Sequence, residues 1–197
     1  PQIVTGIYPN PVHSDNLFAK VDHQFGARDL FTVRYSLYGV TARNSRGAGG
    51  LSAPSASANL DNTDQTVAVS NVATLTSRLV NETRAQFTNS SLKAPPSDPV
   101  GPAVSISGVA SFGTLSGSPT ARLNRLAEVT DNLSYQSGAH ALRAGADFLY
   151  NDDTITYPRS QRGSYSFSSL ANFLAGKYNN SGFTQTFANS VVAQTNP

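Results

Sequence analysis

Apolar and polar residues alternate with a period of two along six segments of this 197-residue chain. In an extended strand that period sends successive side chains to opposite faces. The clearest case is the segment 30–40, where Phe31, Val33, Tyr35 and Leu37 share one face and Leu30, Thr32, Arg34, Ser36 and Tyr38 the other. Segment 16–25 places Leu17, Ala19, Val21 and Phe25 opposite Phe18, Lys20, Asp22 and Gln24, with His23 as an exception on the apolar side. Segment 64–76 begins with Val67 and Val69 opposite Thr66, Ala68 and Ser70, and blurs after Asn71. Segment 80–89 sets Thr83, Ala85 and Phe87 against Glu82, Arg84 and Gln86. In segment 126–135 the apolar face is Ala127, Val129, Leu133 and Tyr135, interrupted by Asp131. Segment 141–151 has Leu142, Ala144, Ala146, Phe148 and Tyr150 against Arg143, Gly145 and Asp147.

The connections alternate in length. Those at 26–29, 77–79 and 136–140 are tight turns. Those at 41–63 and 93–125 are long and rich in Ser, Gly, Asn and Pro, and a further loop occupies 152–163. Within the second long loop, Val104 to Ser107 reads as a short strand; Tyr165 and Phe167 suggest another. Residues 169–176 read as a short loop helix, with Ser168 or Ser169 as N-cap and Gly176 at its end. The expected fold is all-β: an antiparallel meander of about six to eight strands. Short turns on one side and long loops on the other suit an arc of a transmembrane β-barrel with periplasmic turns and extracellular loops. Its unpaired edges are expected at 16–25 and in the strand after Tyr165.

Segments of about ten residues match the length of a tilted strand crossing a bilayer. On this reading Phe31, Val33, Tyr35, Leu37, Leu142, Ala144 and Phe148 face lipid. Lys20, Asp22, Arg34, Glu82, Arg84, Arg143 and Asp147 face a hydrated lumen, where both signs of charge can pair. Aromatic residues near segment ends, among them Phe25, Phe31, Tyr135 and Tyr150, fit interfacial girdles. The alternation alone also admits a soluble all-β adhesin or surface-layer module, in which the charged face meets water.

Composition narrows the function classes. Only 13% of residues are charged, 39% are hydrophobic, and the formal net charge is +2. Arg28, Arg34, Arg43 and Arg46 are dispersed, so no nucleic-acid partner is expected. Cysteine and methionine are absent, which removes a thiol nucleophile and a disulfide framework. The chain begins and ends on proline and reads as a piece of a longer protein whose export signal would lie upstream. No apolar run is long enough for a membrane-spanning helix.

Several of these segments, taken in order, resemble the TonB-dependent outer-membrane receptors of the Oar-like type, which carry a carboxypeptidase-regulatory-like domain. The resemblance rests on the run from Asp15 to Gln24 leading into Leu30–Ser36, on Val80–Arg84, on Gly138–Phe148 and on Ser169–Gly176. It covers roughly residues 15 to 180. It implies a large barrel with a plug, which moves a ligand across the outer membrane. It also implies three partners: outer-membrane lipid, a TonB-type energy-coupling protein engaged through parts outside this chain, and an unidentified extracellular ligand.

No catalytic constellation emerges, and no enzyme activity, cofactor or metal is expected. His13, His23 and His140 lack metal-ligand spacing. Gly47-Ala48-Gly49-Gly50 lacks the Lys-Ser/Thr of a phosphate loop. Asn151-Asp152-Asp153 offers loop oxygens to calcium, against the plainer reading of a solvated loop start. The sequons at Asn81 and Asn132 read as chance matches in an Asn- and Ser-rich chain.

Overall fold

The computed structural model describes residues 8–178 and the residue pair 183–184. In chain order its strands are β1 (Val12–Gln24), β2 (Asp29–Arg46), β3 (Ala58–Thr76), β4 (Leu79–Ala94), β5 (Ala103–Ile106), β6 (Ala110–Gly113), β7 (Thr120–Ser137), β8 (His140–Thr156), β9 (Ser164–Phe167) and β10 (Phe183–Thr184). A short helix, α1 (Leu170–Leu174), follows β9, and a 3-10 turn at Pro54–Ala56 precedes β3. The six long strands form one antiparallel sheet in the order β1-β2-β3-β4-β7-β8. Four short strands form a second sheet, β10-β9-β5-β6.

The long strands outrun the alternating segments, mostly on the side of the long loops. β2 continues to Arg46, β3 starts at Ala58, β4 reaches Ala94, β7 starts at Thr120 and β8 runs to Thr156. The long connections therefore shrink from 41–63 to 47–57 and from 93–125 to 95–119, and the third loop begins after Thr156 rather than at Asp152. Beyond the apolar belt both faces of a strand meet polar surroundings, so the alternation that marks a strand fades although the backbone ladder continues. The expected helix is shorter than 169–176; Ser169 caps it, its hydroxyl accepting from the Asn172 N–H at 3.2 Å.

The free edges of the large sheet are β1 and β8. The second of these corrects the expectation of an edge strand after Tyr165. β9 instead pairs in parallel with β5, Tyr165 lying opposite Val104. With four residues, β9 is too short to extend a sheet of thirteen- to nineteen-residue strands. The edge position shows in exposure: every residue of β1 and all but Asp152 of β8 are exposed.

Buried residues are concentrated away from the sheet's middle. Ala56, Ala58, Ala94, Ala103, Ile106, Ala110 and Phe167 form a small-residue core where the long loops meet. Ala53 N–H donates to Ser111 O, Ser111 N–H to Leu51 O and Ala103 N–H to Gly163 O, at 2.8–3.0 Å. Phe173 of α1 stacks edge-on against Phe112 and Phe167, with ring centroids 5.9 and 5.1 Å away. The three loops are thus knit into one cap over the long-loop end of the sheet. Ser57, fully buried, shares its hydroxyl with Ser97 Oγ at 2.7 Å and donates to Pro54 O at 2.5 Å.

Candidate functional site: the two faces of the sheet and the loop cap

Strand register converts six separate alternations into two continuous surfaces. Val21, Val33, Val69, Ala85, Val129 and Phe148 stand side by side across all six strands. The next row toward the cap is Ala19, Tyr35, Val67, Phe87, Ala127 and Tyr150. No charged residue interrupts either row. All seven residues expected to face lipid lie on this surface. All seven expected in the lumen lie on the other, where Lys20 faces Arg34, Ser70 faces Arg84, Asn132 lies between Glu82 and Gly145, and Ser134 faces Arg143.

The apolar belt runs obliquely to the rows. Toward the cap, the row that starts with Leu17 and Leu37 turns polar at Gln65, Asn89, Arg125 and Asp152. Toward the tight turns the belt instead extends on the later strands, through Leu79, Tyr135 and Leu142. A level band crossing tilted strands produces such a slide, and barrel strands tilt by about 35–45°. Inside the belt, Asp131 is held by neighbours on the same face. Asn81 Nδ2 donates to its Oδ1 at 3.0 Å and Thr83 Oγ1 donates to the same oxygen at 2.5 Å. The interruption seen in the sequence is therefore a hydrogen-bonded group.

The opposite surface is concave. It carries a half-open hollow of about 590 Å³ lined by Lys20, Arg34, Glu82, Arg84, Glu128 and Thr130 among others. Most of its charges and amides are paired within the surface. Lys20 Nζ lies 2.8 Å from Asp22 Oδ2, and Thr32 Oγ1 donates to Asp22 Oδ1 at 2.6 Å. Arg84 donates to Glu82 Oε1 through Nε at 2.9 Å, Gln86 donates to Glu128 at 2.5 Å and Thr130 donates to Asp147 at 3.1 Å. Arg34 and Arg143 have no carboxylate within 4 Å among the described residues. A concave wall carrying both signs, with two cations free, can hold water and guide a polar solute.

Above the belt, on the cap side, Arg122 grips Asp153 through Nε at 2.9 Å and Nη2 at 2.7 Å. The Arg122 hydrogen bond holds the Asp153 carboxyl below the usual carboxylate range. Asn151-Asp152-Asp153 is not the loop start expected from the sequence. These residues lie in β8, where Asn151 and Asp153 take one face and Asp152 the other. Asp152 lies 3.8 Å from Arg125, and Asn124 donates to Asn151 at 2.8 Å. Alternation along the strand prevents the three from converging on one ion, and no acidic or histidine cluster suited to a metal exists among the described residues.

A family model described as an outer membrane beta barrel domain matches residues 3–196. The chain belongs to this family. Membership decides between the two solvents that the alternation left open: the sheet is bacterial outer-membrane barrel wall rather than a soluble adhesin. No curated protein and no solved structure matches the chain.

Sequence reasoning named the charged residues of the concave face but missed the way they are bridged. Thr66 of β3 and Thr88 of β4 hold their Oγ1 atoms 2.9 Å apart, and Ser90 of β4 donates to Asp64 of β3. These contacts depend on register, which no single segment reveals. It found β5, β9 and the short helix of the cap as isolated pieces, but missed β6, a run of Ala, Ser, Phe and Gly with no marked period, and the assembly of these pieces into one unit.

Proposed function

We propose that this domain is part of the barrel of a TonB-dependent receptor of the Oar-like type, binding an extracellular ligand at its looped end and passing it along the concave wall. Phe31, Val33, Tyr35, Leu37, Leu142, Ala144 and Phe148 meet lipid. Lys20, Asp22, Arg34, Glu82, Arg84, Arg143 and Asp147 meet the hydrated lumen. The observation that carries the proposal is the union of a charged, concave inner wall with an ordered cap formed by all three long loops over one end. A simple pore gains little from such a cap, whereas a receptor needs a rigid surface that presents the same groups to each arriving ligand. The open edges β1 and β8 are paired by further strands in the closed barrel, because unpaired backbone groups are not tolerated in hydrocarbon.

Energy coupling runs through a TonB-type protein in the periplasm. The test is a titration of the full-length protein, in detergent, with the purified periplasmic domain of the TonB-type protein from the same bacterium. Saturable binding supports the reading. Absence of binding overturns energised transport and leaves a passive barrel.

A further inference from the structure

We propose that the concave wall carries a subsite for a short zwitterion of the amino-acid or dipeptide class. The inference deepens the receptor reading by naming a kind of solute, and it rests on that reading for the wall's place in a transport path. Register lays Lys20, Arg34, Ala68, Gln86 and Glu128 side by side in one row across β1, β2, β3, β4 and β7. All five line the half-open hollow of about 590 Å³. That volume lies within the roughly 300–1,000 Å³ of small-molecule sites. Ala68, the one short side chain of the five, sits in the middle of the row.

The charges of this row are not met by their neighbours. Lys20 and Arg34 stand directly opposite each other, and like charges so placed repel. Asp22 meets the Lys20 ammonium at 2.8 Å, whereas no carboxylate lies within 4 Å of Arg34 among the described residues. At the far side of the hollow, Glu128 accepts from a neutral amide, that of Gln86. No Lys or Arg lies within 4 Å of Glu128 among the described residues. The other charged lining residues, Glu82 and Arg84, pair with each other. One cation and one anion are left, on opposite sides of one hollow.

This arrangement selects the ligand. Three strand spacings, about 14 Å, separate the backbones of Arg34 and Glu128. Their side chains shorten that span without closing it, since the two charged groups do not come within 4 Å. A guanidinium fork matches a carboxylate, and a carboxylate accepts from an ammonium. A small molecule with a carboxylate at one end and an ammonium at the other satisfies both walls. A simple anion gains Arg34 but is set against Glu128, and a simple cation meets the reverse.

The test is titration calorimetry on the full-length protein in detergent. The probes are L-alanyl-L-alanine, its amide, which lacks the carboxylate, and its N-acetyl form, which lacks the ammonium. The dipeptide binds, and each blocked form binds at least about tenfold more weakly. Two variants divide the effect. In Arg34→Gln the dipeptide and its amide bind alike, while the preference over the N-acetyl form persists. In Glu128→Gln the dipeptide and its N-acetyl form bind alike, while the preference over the amide persists. A variant that merely disturbed the wall would weaken all three probes together. Either variant decides by itself if the other does not fold. The site is overturned if the dipeptide does not bind below about 100 mM, if a blocked form binds as tightly as the dipeptide, or if a variant keeps the preference it should lose. Dipeptide binding by a protein that does not bind the TonB-type domain would leave the site standing and overturn energised transport. Binding of that domain without dipeptide binding would do the reverse.

Discussion

Replacing Val33 with arginine tests which face of the sheet meets hydrocarbon. Val33 sits in β2 between Val21 and Val69, in the row that stays apolar across all six strands. It has one apolar row on its cap side, and Phe31 lies on its turn side. That places it deep in the belt. A lipid-facing arginine near the midplane of a barrel costs about 2–4 kcal/mol, falling to about 0–1 kcal/mol at the interfaces. At about 3 kcal/mol the ratio of folded to unfolded protein falls roughly a hundredfold. The neighbouring change Arg34→Ala acts on the other face. There Arg34 lies opposite Lys20, with no carboxylate within 4 Å among the described residues. Removing an exposed charge facing a like charge should move stability by no more than about 0.5 kcal/mol. The oblique belt gives an internal control. Gln65 shares its row with Leu37 but lies past the polar boundary, so Gln65→Arg should cost under about 1 kcal/mol. The assay is urea titration of the full-length protein refolded into lipid vesicles, followed by the gel shift between folded and unfolded barrel. If Val33→Arg and Arg34→Ala fall within about 0.5 kcal/mol of each other, the assignment of the two faces is wrong.

Cysteines placed at Ser55 and Ser116 should react with an impermeant maleimide on intact cells, while cysteines at Ala27 and Gly138 should not; the opposite pattern would invert the orientation. Gly113→Ala should loosen the cap without unfolding the barrel, because Gly113 has φ of 79° and an added Cβ would fall 2.0 Å from Pro102 O. Limited proteolysis of intact cells would show new cleavage within 95–119, and an unchanged pattern would mean that the cap absorbs the clash. The 197-residue chain by itself should fail to give a monodisperse, cooperatively melting monomer in detergent, since β1 and β8 leave two long unpaired edges. A single sharp transition with monomeric mass would show that the edges close on each other.

The faces of the sheet were legible because each depends on parity within one strand. Phe31, Val33, Tyr35 and Leu37 declare their shared side without reference to any neighbour. What joins strand to strand was not legible. The slide of the belt from Leu17 and Leu37 toward Tyr135 and Leu142 appears only once register is known. The blurring after Asn71 has two local causes. Val72 points to the charged side, opposite Glu82, and the register shifts between Thr74 and Thr76. The cap was the least visible part. Its core is mostly alanine and serine around Ile106 and Phe167, and backbone ladders join β5, β6 and β9. Small residues leave no amphipathic trace in a sequence, so the short strands and the helix of this unit read as isolated pieces in Ser- and Gly-rich loop.

The knitting of three loops into one cap also constrains how this surface can diversify. Proteins displayed outside a bacterium meet phages and antibodies, and separate loops can answer by gaining or losing residues. Here an insertion at Ser111 or Ala103 would break bonds to a different loop, so a change of length in one loop disturbs all three. Escape by substitution remains open at side chains that stand clear of the knot, such as Val100 at 85% exposure and Leu174 at 77%. Lineages of this domain should therefore vary in the identity of those outward residues while keeping the spacing of the cap strands constant.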